Sequence, residues 1–347
     1  MVRLGTIRVM RSFRLRTDLA RESVGGFQLP LGIEAAGVPH PTEGYLVTFR
    51  EGEEEEPDTY VFEATASHER VRGLFRDALD LLPGEVRGIL EIESLDAYRS
   101  LDVHLGIEPI DRDDFLADIA EFEPVILEDA SIGVGGNADE PFVEVFIDGW
   151  KTVTIEVPIE LKSRVELLLA RHGLEETDET WPPDEEGRLF STVTVRPVLQ
   201  VTDTQDPNID EIALQLRERW ALELDIDPQR NLDEQGVELG LTLWHAIVMV
   251  VAADPAREAG AYVDVWATAG SLAEMEQLID EALDAQDEWI FDGIYSVERV
   301  AFDERPDELA ELPLRRSESG VHRITVDRWG GEPPEDSSES SEDEPHG

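Results

Sequence analysis

Apolar and polar positions alternate with period two through Tyr45, Val47 and Phe49, and again through Tyr60, Phe62, Ala64 and Ala66, across an acidic turn at 51–58. That period predicts two strands, each with one covered face. Directly after them, Val71, Leu74, Phe75, Ala78, Leu79 and Leu82 recur at helical spacing and fall on one stripe. Ser67 is placed to cap this helix, and Pro83-Gly84 cannot continue it. Val86, Leu90 and Ile92 predict a closing strand.

The same order of elements recurs twice. Val143, Val145 and Ile147 lead into Asp148-Gly149, a dipeptide suited to a tight hairpin turn, and Val153, Ile155 and Val157 lead out. Pro158 opens a helix striped through Leu161, Val165, Leu168 and Leu169, Gly173 ends it, and 189–195 predicts the closing strand. In the third copy, strands at 243–251 and 262–267 meet through Asp254-Pro255. A helix follows through Leu272, Met275, Ile279, Ala282 and Leu283, then a strand over 294–302. Ser271 and Glu274 stand at capping-box spacing. The run 246–253 is continuously apolar, and its short length and β-branched content favour a doubly buried strand over a helix.

Two further helices are predicted, over 113–122 and over 209–224, the latter striped through Ile212, Leu216, Trp220 and Leu224. Strand, helix, hairpin, helix, strand is the split βαβ order. The expected fold is therefore α+β: tandem ferredoxin-like αβ-sandwich units with antiparallel sheets. The expected division is 1–105 as a less regular N-terminal unit, 106–200 as a second unit, 201–330 as a third ferredoxin-like unit, and 331–347 as a tail. That tail holds seven acids, four serines, three prolines and no Lys or Arg, a composition expected to be disordered.

Composition narrows the picture. A length of 347 residues with 41% hydrophobic residues suits two or three domains with real cores. The absence of cysteine removes disulfides, thiolate metal sites and thiol nucleophiles. No apolar run reaches membrane-spanning length, so a cytoplasmic protein without membrane association is expected. Six of the first 21 residues are arginines, but Ile7, Val9, Phe13 and Leu15 alternate with Arg8, Arg14 and Arg16, which reads as a strand rather than a transit peptide. The formal charge of −50 repels phosphate backbones and disfavours nucleic-acid binding. With only two lysines, Lys151 and Lys162, the same acidity also fits a chain kept soluble in high salt, where self-repulsion is screened.

Candidate chemistry is sparse. The seven histidines show no metal-site spacing; His245 reads as a core residue and His172 as a helix C-terminal charge partner. Asp111, Asp113 and Asp114 read as a helix start. Asp225 and Asp227 resemble the opening of a calcium loop, but Arg230 and Gly236 stand where its glycine and glutamate belong. The loop 131–137 lacks the helix and lysine of a phosphate-binding loop and reads as a flexible connector. No catalytic, metal or cofactor residue is assigned. Trp150, after the hairpin turn, and Trp181 and Trp289, each closing an acidic stretch, are the interaction candidates.

The expected function is a binding, regulatory or protein-interaction module rather than a catalyst, with a protein partner or a second copy as its ligand. One alternative is a cation-assisted hydrolase using carboxylates; a second is an acidic decoy of nucleic acid or of a basic partner.

Overall fold

The chain passes three times between two units: Met1–Glu93 with Leu101–Asp225 forms unit 1, and Ser94–Ser100 with Ile226–Gly347 forms unit 2. The structure, a computed structural model, describes residues 13–52, 57–181, 193–202, 206–253, 259–284, 289–312 and 318–330. The expected tail at 331–347, the N-terminal part of the arginine-edged strand, the Asp254-Pro255 connection and most of the strand expected at 189–195 lie outside them. Both units are mixed α+β with antiparallel sheets. The passages fall after Glu93, Ser100 and Asp225.

Unit 1 begins with a two-residue hairpin, β1 (Ser23–Val24) and β2 (Phe27–Gln28). It continues through β3 (Gly44–Arg50), β4 (Thr59–Thr65), α1 (His68–Leu79), β5 (Glu85–Glu93), β6 (Leu101–Gly106), β7 (Ile110–Asp111) and α2 (Arg112–Ile126). Then come β8 (Ile132–Asp139), β9 (Phe142–Ile147), β10 (Val153–Pro158), α3 (Lys162–Arg171), α4 (Ile209–Trp220) and β11 (Leu222–Leu224). The first two hairpins do not make two sheets. They share one, in the order β11-β6-β5-β8-β9-β10-β4-β3, with β7 pairing β5. Every pairing is antiparallel.

Alternation explains why this sheet holds its helices. Phe62, Ile155, Val145, Val134 and Leu90 all point to the face where Val71, Phe75, Phe115, Phe122, Leu168 and Trp220 of the four helices form the core. Asp111 caps α2 by accepting the Asp113 N–H (2.8 Å), as its acidic start implies. Ser67 stands at the start of α1 but does not cap it: its hydroxyl donates to Glu69 (2.5 Å) and accepts the Gln28 N–H (2.9 Å).

Several expectations are corrected here. The 131–137 stretch is no connector but β8, held between β5 and β9. Its glycines let neighbours lie on the strand: a Cβ at Gly135 would stand 2.3 Å from the Val145 carbonyl oxygen, and one at Gly136 would stand 2.5 Å from a Val86 methyl. The Asp148-Gly149 turn is longer than two residues, because Ile147 pairs with Val153; Lys151, not Gly149, takes the positive φ (65°). The helix expected over 209–224 stops at Trp220, where Ala221 turns left-handed (φ 50°), and 222–224 becomes β11. Its stripe of Ile212, Leu216 and Trp220 belongs to the core of unit 1, which removes the second helix expected for the third ferredoxin-like unit.

Unit 2 contains β12 (Thr242–Ala252), β13 (Ala259–Ala269), α5 (Leu272–Asp284), β14 (Trp289–Val300) and β15 (Gly320–Gly330). Its strand order is β14-β12-β13-β15, all antiparallel, with one α-helix among the described residues, so these elements do not follow the split βαβ order. Met275, Ile279 and Leu283 of α5 pack on Ala246, Val248, Val250, Val263 and Val265. Half of the capping box forms: Ser271 Oγ accepts the Glu274 N–H (3.2 Å), while the Glu274 carboxylate accepts the N–H of Gly270, one residue before the cap (2.6 Å). The segment Ser94–Ser100 reaches unit 2 from the β5–β6 connection and buries Asp96 there against Arg299.

Candidate functional site

Two of the three tryptophan candidates meet. Trp150, in the β9–β10 connection, packs edge-on against Trp181 at a ring separation of 5.8 Å, and Trp181 packs edge-on against Phe27 at 5.5 Å. With Leu29, Ile33 and Val38 these rings close a small satellite core of unit 1. Trp181 and Trp150 therefore stabilise the irregular N-terminal segment. Trp289 lies apart, in unit 2, 9% exposed, with the Arg328 guanidinium 5.2 Å from its ring.

Beside Trp150 sits the most heavily buried charge chemistry of unit 1. Lys151, only 4% exposed, donates from Nζ to the carbonyl oxygens of Asp129 (2.6 Å), Ile132 (3.1 Å) and Asp148 (3.1 Å). Burial pulls its ammonium down to about 8, against the attraction of Asp148 and Asp129. Burial likewise pushes the Asp148 carboxyl up to about 6. A lysine with a lowered pKa is a nucleophile candidate, yet three carbonyl acceptors use all three N–H bonds and fix it as a structural post.

One step further along the α2–β8 connection, Glu128 accepts two bonds from Arg21 (2.5 and 3.0 Å) and one from the Leu31 N–H (2.9 Å), and lies 3.1 Å from His68 Nε2. Burial opposes its charge, but the hydrogen bonds from His68 and Arg21 prevail and hold it down at about 2. A carboxylate so firmly ionised and so fully occupied is a poor proton acceptor.

Unit 2 offers a different kind of surface. The apolar run 246–253 is a strand covered on one side only: Ala246, Val248, Val250 and Ala252 are buried under α5, whereas Ile247, Met249 and Val251 are half-exposed. Opposite residues in an antiparallel pair share a face, so Trp266, Asp264 and Tyr262 of β13 join His245, Ile247 and Met249. Tyr295 reaches this face as well, edge-on to Tyr262 at 5.7 Å. At one end, His245 stacks on Trp266 at 4.3 Å and bonds Glu298 through Nδ1 and Asp264 through Nε2, each 2.9 Å. Burial lowers its pKa, but the bonds to Glu298 and Asp264 outweigh that and raise it overall. With both nitrogens engaged, His245 is neither a fully buried core residue nor a free base; it is a clasp across three strands.

The sequence named none of these face residues as candidates, although one signal was present: an apolar run without alternation supplies side chains to both faces. His172 takes its expected place at the end of α3, bonded to Asp77 (2.9 Å). Surface hollows lie beside Arg112 and beside Arg164 and Arg171, where Arg112 already pairs with Asp80 (2.8 Å). Among the described residues no group of three or more His, Asp or Glu side chains is placed to hold a metal ion, and no helix is long and apolar enough to cross a membrane. No protein family, curated protein or solved structure matches the chain.

Proposed function

We propose that the chain is a non-catalytic binding or regulatory module that engages a protein partner through the helix-free face of unit 2. The observation that carries this reading is the half-exposed cluster Ile247, Met249, Tyr262, Trp266 and Tyr295 on one face of a four-stranded sheet whose other face is sealed by α5. Contiguous aromatic and methionine side chains of this kind are the usual anchors of interfaces. The acids Asp264, Glu298 and Asp327 on the same face, within a chain of formal charge −50, select a partner with an apolar patch rimmed by basic side chains.

The test is retention of proteins by the immobilised full chain, compared with Met249→Asp and Tyr262→Ala variants that keep the wild-type melting temperature. A basic partner whose affinity falls at least about tenfold on either substitution supports the reading. A partner retained equally by all three and released by salt alone would point to the acidic surface as a whole and overturn it. No observation favours the carboxylate hydrolase.

A further inference from the structure

We infer that the chain self-associates through β15, which pairs antiparallel with the same strand of a second copy about a two-fold axis at Thr325. β15 is the outer strand of its sheet: it pairs with β13 along one side, and among the described residues no strand lies along the other. From Arg323 to Gly330 its pairing with β13 runs without a shift, so its outer edge presents a regular row of backbone donors and acceptors. The opposite edge is blunted. The β12–β14 pairing carries two register shifts, and the end of β14 is closed by the Ala97 N–H, which donates to the Arg299 carbonyl at 2.9 Å.

The side chains select one register. A two-fold pairing that keeps both α5-covered faces on one side must oppose residues that share a face. Centred on Thr325, it sets Arg323 against Asp327 of the second copy, twice over, on the helix-free face. On the α5 face it sets Ile324 against Val326, again twice, where both are already packed on the core of unit 2. Centring on Ile324 instead sets Arg323 against Thr325, and centring on Val326 sets Ile324 against Arg328. Both alternatives lose the ion pairs, and the second drives a guanidinium onto apolar side chains. Arg323 is available for this role: its one described ion pair is a long one, 4.0 Å to Glu308.

The formal charge of −50 on each copy opposes the approach. Repulsion between whole copies acts over a Debye length of about 30 Å in 0.01 M salt and only about 3 Å in 1 M, whereas the backbone pairing is insensitive to screening. Self-association is therefore expected to strengthen as salt is added.

The chain has no cysteine, so Thr325→Cys introduces its only thiol. Directly opposed residues on antiparallel strands lie about 4.5–5.5 Å apart at Cα, within disulfide reach. Mild oxidation of the full chain in 1 M KCl is expected to give a disulfide-linked dimer for Thr325→Cys and not for Ser163→Cys on the exposed side of α3. In sedimentation equilibrium, Arg323→Asp and Asp327→Arg should each raise the dimer dissociation constant about tenfold, and the double swap should return it to within about threefold of wild type. Equal cross-linking at the two cysteine positions, a double swap no better than the single ones, or a wild-type chain that stays monomeric in 1 M KCl would each overturn the proposal.

Discussion

Asp96 and Arg299 form a bidentate pair, Nε to Oδ2 and Nη2 to Oδ1 at 2.8 Å each, and the Arg299 N–H donates to the same carboxylate at 2.8 Å. The remaining Nη1 donates to the Asn231 side-chain oxygen (2.9 Å) and the Leu232 carbonyl (2.6 Å), so both charges are buried and fully bonded. Breaking such a pair from one side strands the other charge. Asp96 also lies 3.3 Å from Nη1 of Arg99, so Asp96→Ala is expected to cost unit 2 about 3–5 kcal/mol, while Asp96→Leu combined with Arg299→Met costs less than the sum of the two single changes. Urea unfolding followed by tryptophan fluorescence measures this, and additive single effects would contradict the coupling.

His245 makes unit 2 sensitive to pH. Because its folded pKa is raised above the ordinary 6.5, its stabilising contribution is fully present below pH 6.5 and is lost as pH rises through the folded value. The melting temperature of wild type should exceed that of His245→Gln at pH 5.5, with the gap closing above neutrality. A gap that widens with pH would show that the imidazole is held neutral.

Glu128 acts in the opposite sense on unit 1. With a folded pKa of about 2 against an ordinary 4.5, its contribution is complete above pH 4.5 and disappears as pH falls toward 2. Glu128→Gln should destabilise by about 2–3 kcal/mol at pH 7 and converge with wild type in acid. Acid titrations of the two proteins, monitored by near-ultraviolet circular dichroism, decide the point.

Gly135 has no room for a methyl group. Gly135→Ala would place carbon 2.3 Å from the Val145 carbonyl oxygen in the middle of the sheet, and a loss of about 1–3 kcal/mol is expected. Gly84→Ala, which meets nothing within 4 Å, serves as the control and should stay within about 0.5 kcal/mol. Equal melting temperatures for the two variants would place β8 elsewhere.

Most strands and helices were legible because each alternates or stripes within its own few residues. What they pair with was not. Phe62 and Val145 announce strands, but nothing local says that the first two hairpins share one sheet. Gly133, Gly135 and Gly136 hid β8, since a strand whose neighbours fill the space above it shows no alternation of its own. The stripe of Ile212, Leu216 and Trp220 was correctly helical, yet its destination depended on Gly88, whose missing side chain makes room for the Trp220 ring. The meeting of Trp150 with Trp181 and the His245 clasp are products of tertiary register, which spacing along the chain does not encode.

The passage of Ser94–Ser100 through unit 2 has a consequence for anyone who would dissect the molecule. A cut after Asp225 yields a C-terminal fragment that keeps Arg299 and loses Asp96. A cut before Ser94 separates β5 from the strands β6 and β8 that flank it. No single scission frees either half intact, and a ribosome three residues past the end of β5 makes the carboxylate whose counter-charge it will reach only 203 residues later.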